Sequence, residues 1–266
     1  MNRRSLVLSC LVVTSSLLTL LAANPASAAS ADTDYVALGD SYSSGVGAPG
    51  QVGSCLQSPN GYPGQWVAAN QPKSFTDLAC SGAVTDDVLN TQVPQISSSA
   101  DLISITIGGN DAGFAPTVLS CEVSSDAACA TTVANAEASI SATLGPKLDA
   151  TYAAIHAKAP GAQLVVLGYP LLFDTSSSSC GVGGMSLSKR KSLNDGAKVL
   201  DDLIKDRVVA DGFTWSDVRD EFAGHGICSA TPYINDLSVL ALTNSFHPNK
   251  TGYTYGYLPA FSGSVA

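Results

Sequence analysis

Four short stretches carry the groups that acyl transfer would need. Ser41 lies in Gly39-Asp40-Ser41-Tyr42, Gly82 in Ala79-Cys80-Ser81-Gly82-Ala83, Asn110 in Gly108-Gly109-Asn110-Asp111, and His247 in Ser245-Phe246-His247-Pro248-Asn249. The chemistry requires a nucleophile, a base within hydrogen-bonding reach of it, and fixed donors aimed at the oxygen on which negative charge develops. Ser41 and His247 fit the first two roles; the N–H groups of Ser41 and Gly82 and the amide of Asn110 fit the third. Only two other histidines exist. His156 sits in an apolar helical stretch beside Tyr152 and Ile155 and reads as a surface or interface residue, while His225, between Gly224 and Gly226 and near Cys228, is the alternative base.

Taken singly, Gly-Asp-Ser, Ser-Gly and Gly-Gly-Asn are ordinary turn sequences. Their placement makes them more than that. Five short apolar runs read as strands: Tyr35–Leu38, Phe75–Leu78, Leu102–Ile107, Gln163–Leu167 and Phe213–Val218. Segments of helical period alternate with them, including Tyr62–Asn70, Val133–Ala159 and Leu187–Ala210, with Gly145-Pro146 expected to kink the second or start a new helix. That alternation predicts an α/β fold with a parallel sheet. All strands of such a sheet end on one side, where ligands bind. The three donor-rich turns follow the first three strands and so converge, and His247 precedes a last helix-like segment, Thr251–Phe261.

Arg3 and Arg4 precede an apolar run from Leu6 to Ala23 and then Ala26-Ser27-Ala28, the order of a secretory signal, with an uncleaved membrane anchor as the alternative. Residues 1–28 are therefore read as signal and 29–266 as a single domain. Without the signal, 13 basic side chains become 11 against 22 acidic, so a formal charge of −9 becomes −11. Such a surface repels phosphate backbones, and no nucleic-acid partner is expected. Lys189-Arg190-Lys191 is the one basic cluster that stands out. The six remaining cysteines are even in number and suit an oxidising compartment. Pairing nearest neighbours, Cys55 with Cys80, Cys121 with Cys129 and Cys180 with Cys228, is the simplest of the possible connectivities. There is no Cys-x2-Cys, the histidines are scattered and no His-Glu-x-x-His occurs, so neither metal nor cofactor is expected. The Gly-x-Ser-x-Gly elbow of α/β-hydrolases is also missing around Ser41, where Ser43 takes the last position.

In these four blocks the chain resembles the GDSL, or SGNH, esterase/lipase family across nearly all of residues 29–266, and its cysteine layout is similar to that of the family's extracellular bacterial lipase branch. The resemblance implies a flavodoxin-like α/β/α sandwich around a five-stranded parallel sheet. It implies a secreted serine ester hydrolase in which Ser41 is nucleophile, His247 general base, and Ser41 N–H, Gly82 N–H and Asn110 the oxyanion hole. One departure stands out: many members carry Asp three residues before the histidine, where this chain has Asn244. A neutral amide does not stabilise imidazolium as a carboxylate does. The main-chain carbonyl of Ser245 is the expected orienting group, with Asp40 and Asp111 open as carboxylates from elsewhere. The expected substrate is a small-molecule or lipid ester, met by a monomer with at most transient contact with a lipid interface. The alternatives are a carbohydrate (acetyl) esterase or phospholipase using the same site, and an exported binding module without catalysis.

Overall fold

The computed structural model describes residues 31–178, 180 and 184–266; the expected secretory signal, residues 1–28, lies outside them. The apolar runs form one parallel sheet in the order β2-β1-β3-β4-β5, with β1 at Asp34–Gly39, β2 at Ser74–Asp77, β3 at Leu102–Thr106, β4 at Gln163–Leu167 and β5 at Thr214–Ser216. Every residue of β3 is buried, as expected of a central strand covered on both faces. The strand order reverses between β1 and β3, the place where open sheets of this kind leave a crevice beyond the strand ends. Ser41 and Asn110 follow those two strands.

The helices are α1 (Ser41–Ser44), α2 (Tyr62–Asn70), α3 (Thr85–Asp87), α4 (Phe114–Val123), α5 (Asp126–Lys158), α6 (Leu187–Ala210), α7 (Lys250–Gly252) and α8 (Leu258–Ser264). Strand alternation decides which face each one covers. Tyr35 packs its ring on Trp66 of α2 and Phe261 of α8. Tyr62 of α2 hydrogen-bonds Ser104, which lies with Tyr35 on that face. The opposite face carries Val36, Leu38, Ile103 and Ile105, all buried. Just beyond it, Gly108 approaches Leu144 and Leu148 of α5 and Ile204 of α6. Two helical layers therefore sandwich the sheet.

Two helical expectations change. α5 runs unbroken through Gly145-Pro146 and starts at Asp126, where Ser125 Oγ accepts from the Ala128 N–H at 3.2 Å. Ile140, Leu144, Leu148, Tyr152 and Ile155 form one buried stripe on both sides of Pro146, and that packing outweighs the single backbone hydrogen bond the proline removes. α4 was not expected at all: it begins after Gly113, whose φ is +64° and which offers no side-chain cap. The terminal segment is helical from Lys250 to Ser264, with a π-turn at Tyr253–Tyr257.

The cysteines pair as nearest neighbours, 55 with 80, 121 with 129 and 180 with 228. Lys189-Arg190-Lys191 is not a basic surface patch, because Arg190 is fully buried. Its guanidinium donates to the carbonyls of Met185, Ser177 and Asp174, stitching that loop to α6. Among the described residues no helix is long and apolar enough to cross a membrane.

Candidate active site

At the end of β1 the chain turns sharply. Gly39 has φ +110°, and a Cβ there would lie 2.1 Å from the Thr106 carbonyl oxygen. Buried Gln92 brackets this glycine, accepting from its N–H at 2.7 Å and donating to its carbonyl at 2.9 Å. Asp40 then caps α1, its carboxylate accepting from the Tyr42 N–H at 3.0 Å, and Ser41 becomes the first residue of the one-turn helix. The Ser41 N–H has no acceptor among the described residues, as expected for the first turn of a helix.

Ser41 Oγ lies 2.7 Å from His247 Nε2, and His247 Nδ1 lies 2.9 Å from the Ser245 carbonyl oxygen. A carbonyl only accepts, so Nδ1 carries the proton; Nε2 of the neutral ring is left as the acceptor for the Ser41 hydroxyl. The turn that presents the ring is held against strain. Phe246 has φ +64°, unusual for an aromatic residue, and it is clamped by Tyr42 Oη donating to its carbonyl at 2.6 Å and by its own N–H donating to Asn235 O at 2.9 Å. Burial pushes the His247 pKa down to about 4, with the Ser245 carbonyl working in the other direction.

The other candidate orienting groups are engaged elsewhere. Asn244 Oδ1 accepts from Gln51 Nε2 at 2.9 Å. Asp40 accepts from Thr106 Oγ1 at 2.7 Å and from Tyr169 Oη at 2.5 Å; burial raises its pKa to about 6. Asp111 accepts from the Thr85 N–H and hydroxyl at 2.9 and 2.7 Å and faces Lys147 at 3.5 Å. His225 is also occupied, its Nδ1 2.8 Å from the Thr231 carbonyl and its ring stacked on Tyr233.

The remaining donors sit beside Ser41. Gly82 has φ +84°, its N–H meets no protein acceptor among the described residues, and nothing lies within 4 Å of where a Cβ would point. The Cys55–Cys80 disulfide and the Ser81 N–H to Cys55 O bond at 3.1 Å fasten this turn from behind. Asn110 Nδ2 spends one hydrogen on the Ala83 carbonyl at 2.9 Å, which orients the amide and leaves the second hydrogen free. Ser41, Gly82, Asn110, Ser245 and His247 all line one cleft of about 260 Å³. Its remaining wall is largely apolar, including Phe114, Leu119, Leu172, Leu200 and Leu242, and Asp40 is its only ionisable carboxyl.

One residue of this cleft escaped the sequence reading. Tyr169 accepts from the Gly109 N–H at 3.1 Å while donating to Asp40, so its hydroxyl ties the turn after β3 to the turn after β1. It lies two residues past the end of β4, and the strand-end rule that marks the first three turns points to the fourth as well. Among the described residues no three His, Cys, Asp or Glu side chains are grouped to hold a metal ion.

The chain is similar to known proteins over nearly its whole length. The model of the GDSL-like lipase/acylhydrolase family matches residues 37–255. Lipase 1 of Streptomyces coelicolor is 43% identical over 264 residues, covering 98% of this chain and 96% of its own length. Among solved structures, phospholipase A1 from Streptomyces albidoflavus NA297 is 42% identical with a TM-score of 0.85, covering 88% of this chain and 100% of that one. The extracellular lipase from Streptomyces rimosus is 44% identical with a TM-score of 0.84 over the same shares. With the α/β/α sandwich, the donor-lined cleft and these full-length relatives together, the chain belongs to the GDSL-like lipase/acylhydrolase family and is an ester hydrolase.

Proposed function

We propose that the protein is a secreted serine lipase/esterase that cleaves acyl esters through an acyl-enzyme on Ser41. The observation that carries this reading is the unbroken line from Ser41 Oγ to His247 Nε2 and from Nδ1 to the Ser245 carbonyl, set at one end of an apolar cleft. Ser41 Oγ attacks the ester carbonyl as His247 takes its proton. The oxygen that becomes negative is met by the Ser41 and Gly82 N–H groups and the free hydrogen of Asn110. Collapse of the tetrahedral intermediate breaks the ester C–O bond, and the imidazolium protonates the departing alcohol. Water then repeats the sequence on the acyl-Ser41 ester, releasing the carboxylic acid and restoring the serine. Secretion is supported by the Arg3-Arg4 segment with its apolar run and by the similarity to the extracellular lipase from S. rimosus.

The cleft wall favours an acyl chain over a sugar, since it offers apolar side chains and few polar groups beyond the reacting ones. On a series of soluble and emulsified esters, turnover is expected to rise from acetyl to longer acyl chains. A preference for acetylated oligosaccharide would replace the lipase reading with a carbohydrate esterase. The phospholipase A1 among the similar structures supports a second substrate, and fatty acid released from phosphatidylcholine in the same series measures it.

The dyad and its pH behaviour give two further expectations. If the Ser245 carbonyl orients the imidazole, Asn244→Ala should keep kcat/KM within about tenfold, because a backbone acceptor survives side-chain removal. A loss beyond about 10³-fold, ~4 kcal/mol, would transfer the orienting role to the Asn244 amide. The base works only when neutral, so kcat/KM should fall as pH drops through about 4, well below the ordinary histidine value of 6.5. An acid limb near 6.5 would mean that the ring is solvated in the free enzyme.

A further inference from the structure

The turn from Ser238 to Ala241 is made of the wrong residues for a turn. The Ala241 N–H donates to the Ser238 carbonyl at 3.1 Å, which puts Val239 and Leu240 at its two central positions. Those positions ordinarily take Gly, Asn, Asp, Pro or Ser, for conformational and hydrogen-bonding reasons. Here they hold two large apolar side chains, 80% and 97% exposed. Two residues on, Leu242 is exposed and lines the cleft mouth. On the opposite side α4 presents Leu119, also a cleft residue, and one turn further Val123 at 90% exposure. Exposed Leu171 sits between the cleft residues Pro170 and Leu172. The two sides belong to one opening, because Leu119 of α4 and Leu242 just after the turn line the same cleft. Single exposed apolar side chains are ordinary on a protein surface; a set of them around one opening marks an interaction site.

The opening itself narrows what can cover it. A second copy of this chain or a protein partner seated on the rim would close the mouth through which an ester enters. A lipid surface covers the same side chains and delivers the ester. Glu122 adjoins Val123 on α4 and Asp236 precedes the turn, on a chain whose formal charge is −9. That balance disfavours an anionic membrane. We propose that this rim docks on the surface of a lipid aggregate without net charge, with Val239 and Leu240 as the inserted tip. The proposal rests on the lipase reading above and extends it from the reacting groups to how they reach their substrate.

The test uses Val239→Ser/Leu240→Ser and, separately, Val123→Ser; none of these residues lines the cleft. Turnover of a soluble short-chain ester should stay within about twofold of the parent. On a Ser41→Ala background, which prevents consumption of the lipid, partition onto phosphatidylcholine vesicles should fall by about tenfold or more in the double variant, as should the rate on emulsified ester in the Ser41 protein. Vesicles enriched in phosphatidylglycerol should bind the parent no better than phosphatidylcholine. Equal partition of parent and double variant would overturn the proposal. So would tighter binding to the anionic vesicles, or a parent that sediments as a dimer which the double variant dissociates. Absence of soluble-ester turnover in the parent would defeat the hydrolase chemistry instead, and vesicle partition would still report on docking.

Discussion

Ser41→Ala is expected to give a protein as stable as the parent that has lost ester hydrolysis on the order of 10⁶-fold in kcat, the scale at which a serine nucleophile and its base fail as a unit. The folded state should be spared because the lost hydroxyl makes one hydrogen bond, to His247, of about 1 kcal/mol net. The architecture of the turn rests instead on Asp40, Thr106, Gln92 and Tyr169, none of which depends on the hydroxyl. His247→Ala should behave alike, and His225→Ala should not. Single-turnover kinetics with an ester whose alcohol is chromogenic would read both losses against an unchanged thermal midpoint. If Ser41→Ala retained the parent's burst of alcohol, the acyl-enzyme on this residue would be ruled out.

Gly39→Ala is the largest expected effect on stability, about 3–5 kcal/mol. Two costs combine: φ +110° is strained for any residue with a Cβ, and the added methyl would overlap the Thr106 carbonyl, which is backbone and held in β3. Neither strand can retreat. β1 and β3 are hydrogen-bonded in register at Gly39 and Thr106, and Asp40 N–H donates to that same carbonyl at 3.0 Å. Gly82→Ala is the control, with a similar φ of +84° but open space around the new methyl, so its cost should be about 1 kcal/mol. Urea denaturation of the two variants compares strain alone with strain plus overlap. Equal losses would mean that the β1–β3 approach yields.

What could be read from the chain and what could not divide along the range of the interactions. The strand ends were legible because the runs ending at Leu38, Leu78 and Ile107 are followed directly by small, polar or glycine-rich turns, so Ser41, Gly82 and Asn110 could be assigned to one side of the sheet before any coordinates. The cysteine pairing was legible for a similar reason: each bridge closes a single excursion. α4 was not, since its start lacks the Ser, Thr, Asp or Asn cap that announces a helix and lies inside a glycine-rich loop. Nor was the continuity of α5, where a buried stripe overrides Pro146. The hydrogen-bonded supports of the site, Gln92 on Gly39 and Tyr169 on Asp40, were out of reach because they join positions 53 and 129 residues apart. Local pattern carries no signal at that range. The exposed tip at Val239-Leu240 is a different case: an apolar pair in the sequence does not say whether it faces a core or solvent.

Ser41 and His247 are joined across 206 positions, almost the whole described chain. During synthesis, a chain that has emerged as far as Thr243 already contains all five strands, the three cysteine pairs and every proposed oxyanion donor, yet lacks the proposed base. Under the chemistry proposed here, such a chain is inert toward esters by its order of manufacture. An incomplete copy released by premature termination in this last stretch would carry every strand of the sheet, without the α8 cover, and still leave esters intact. If the chain is exported as proposed, the late arrival of one imidazole delays activity until synthesis is all but complete.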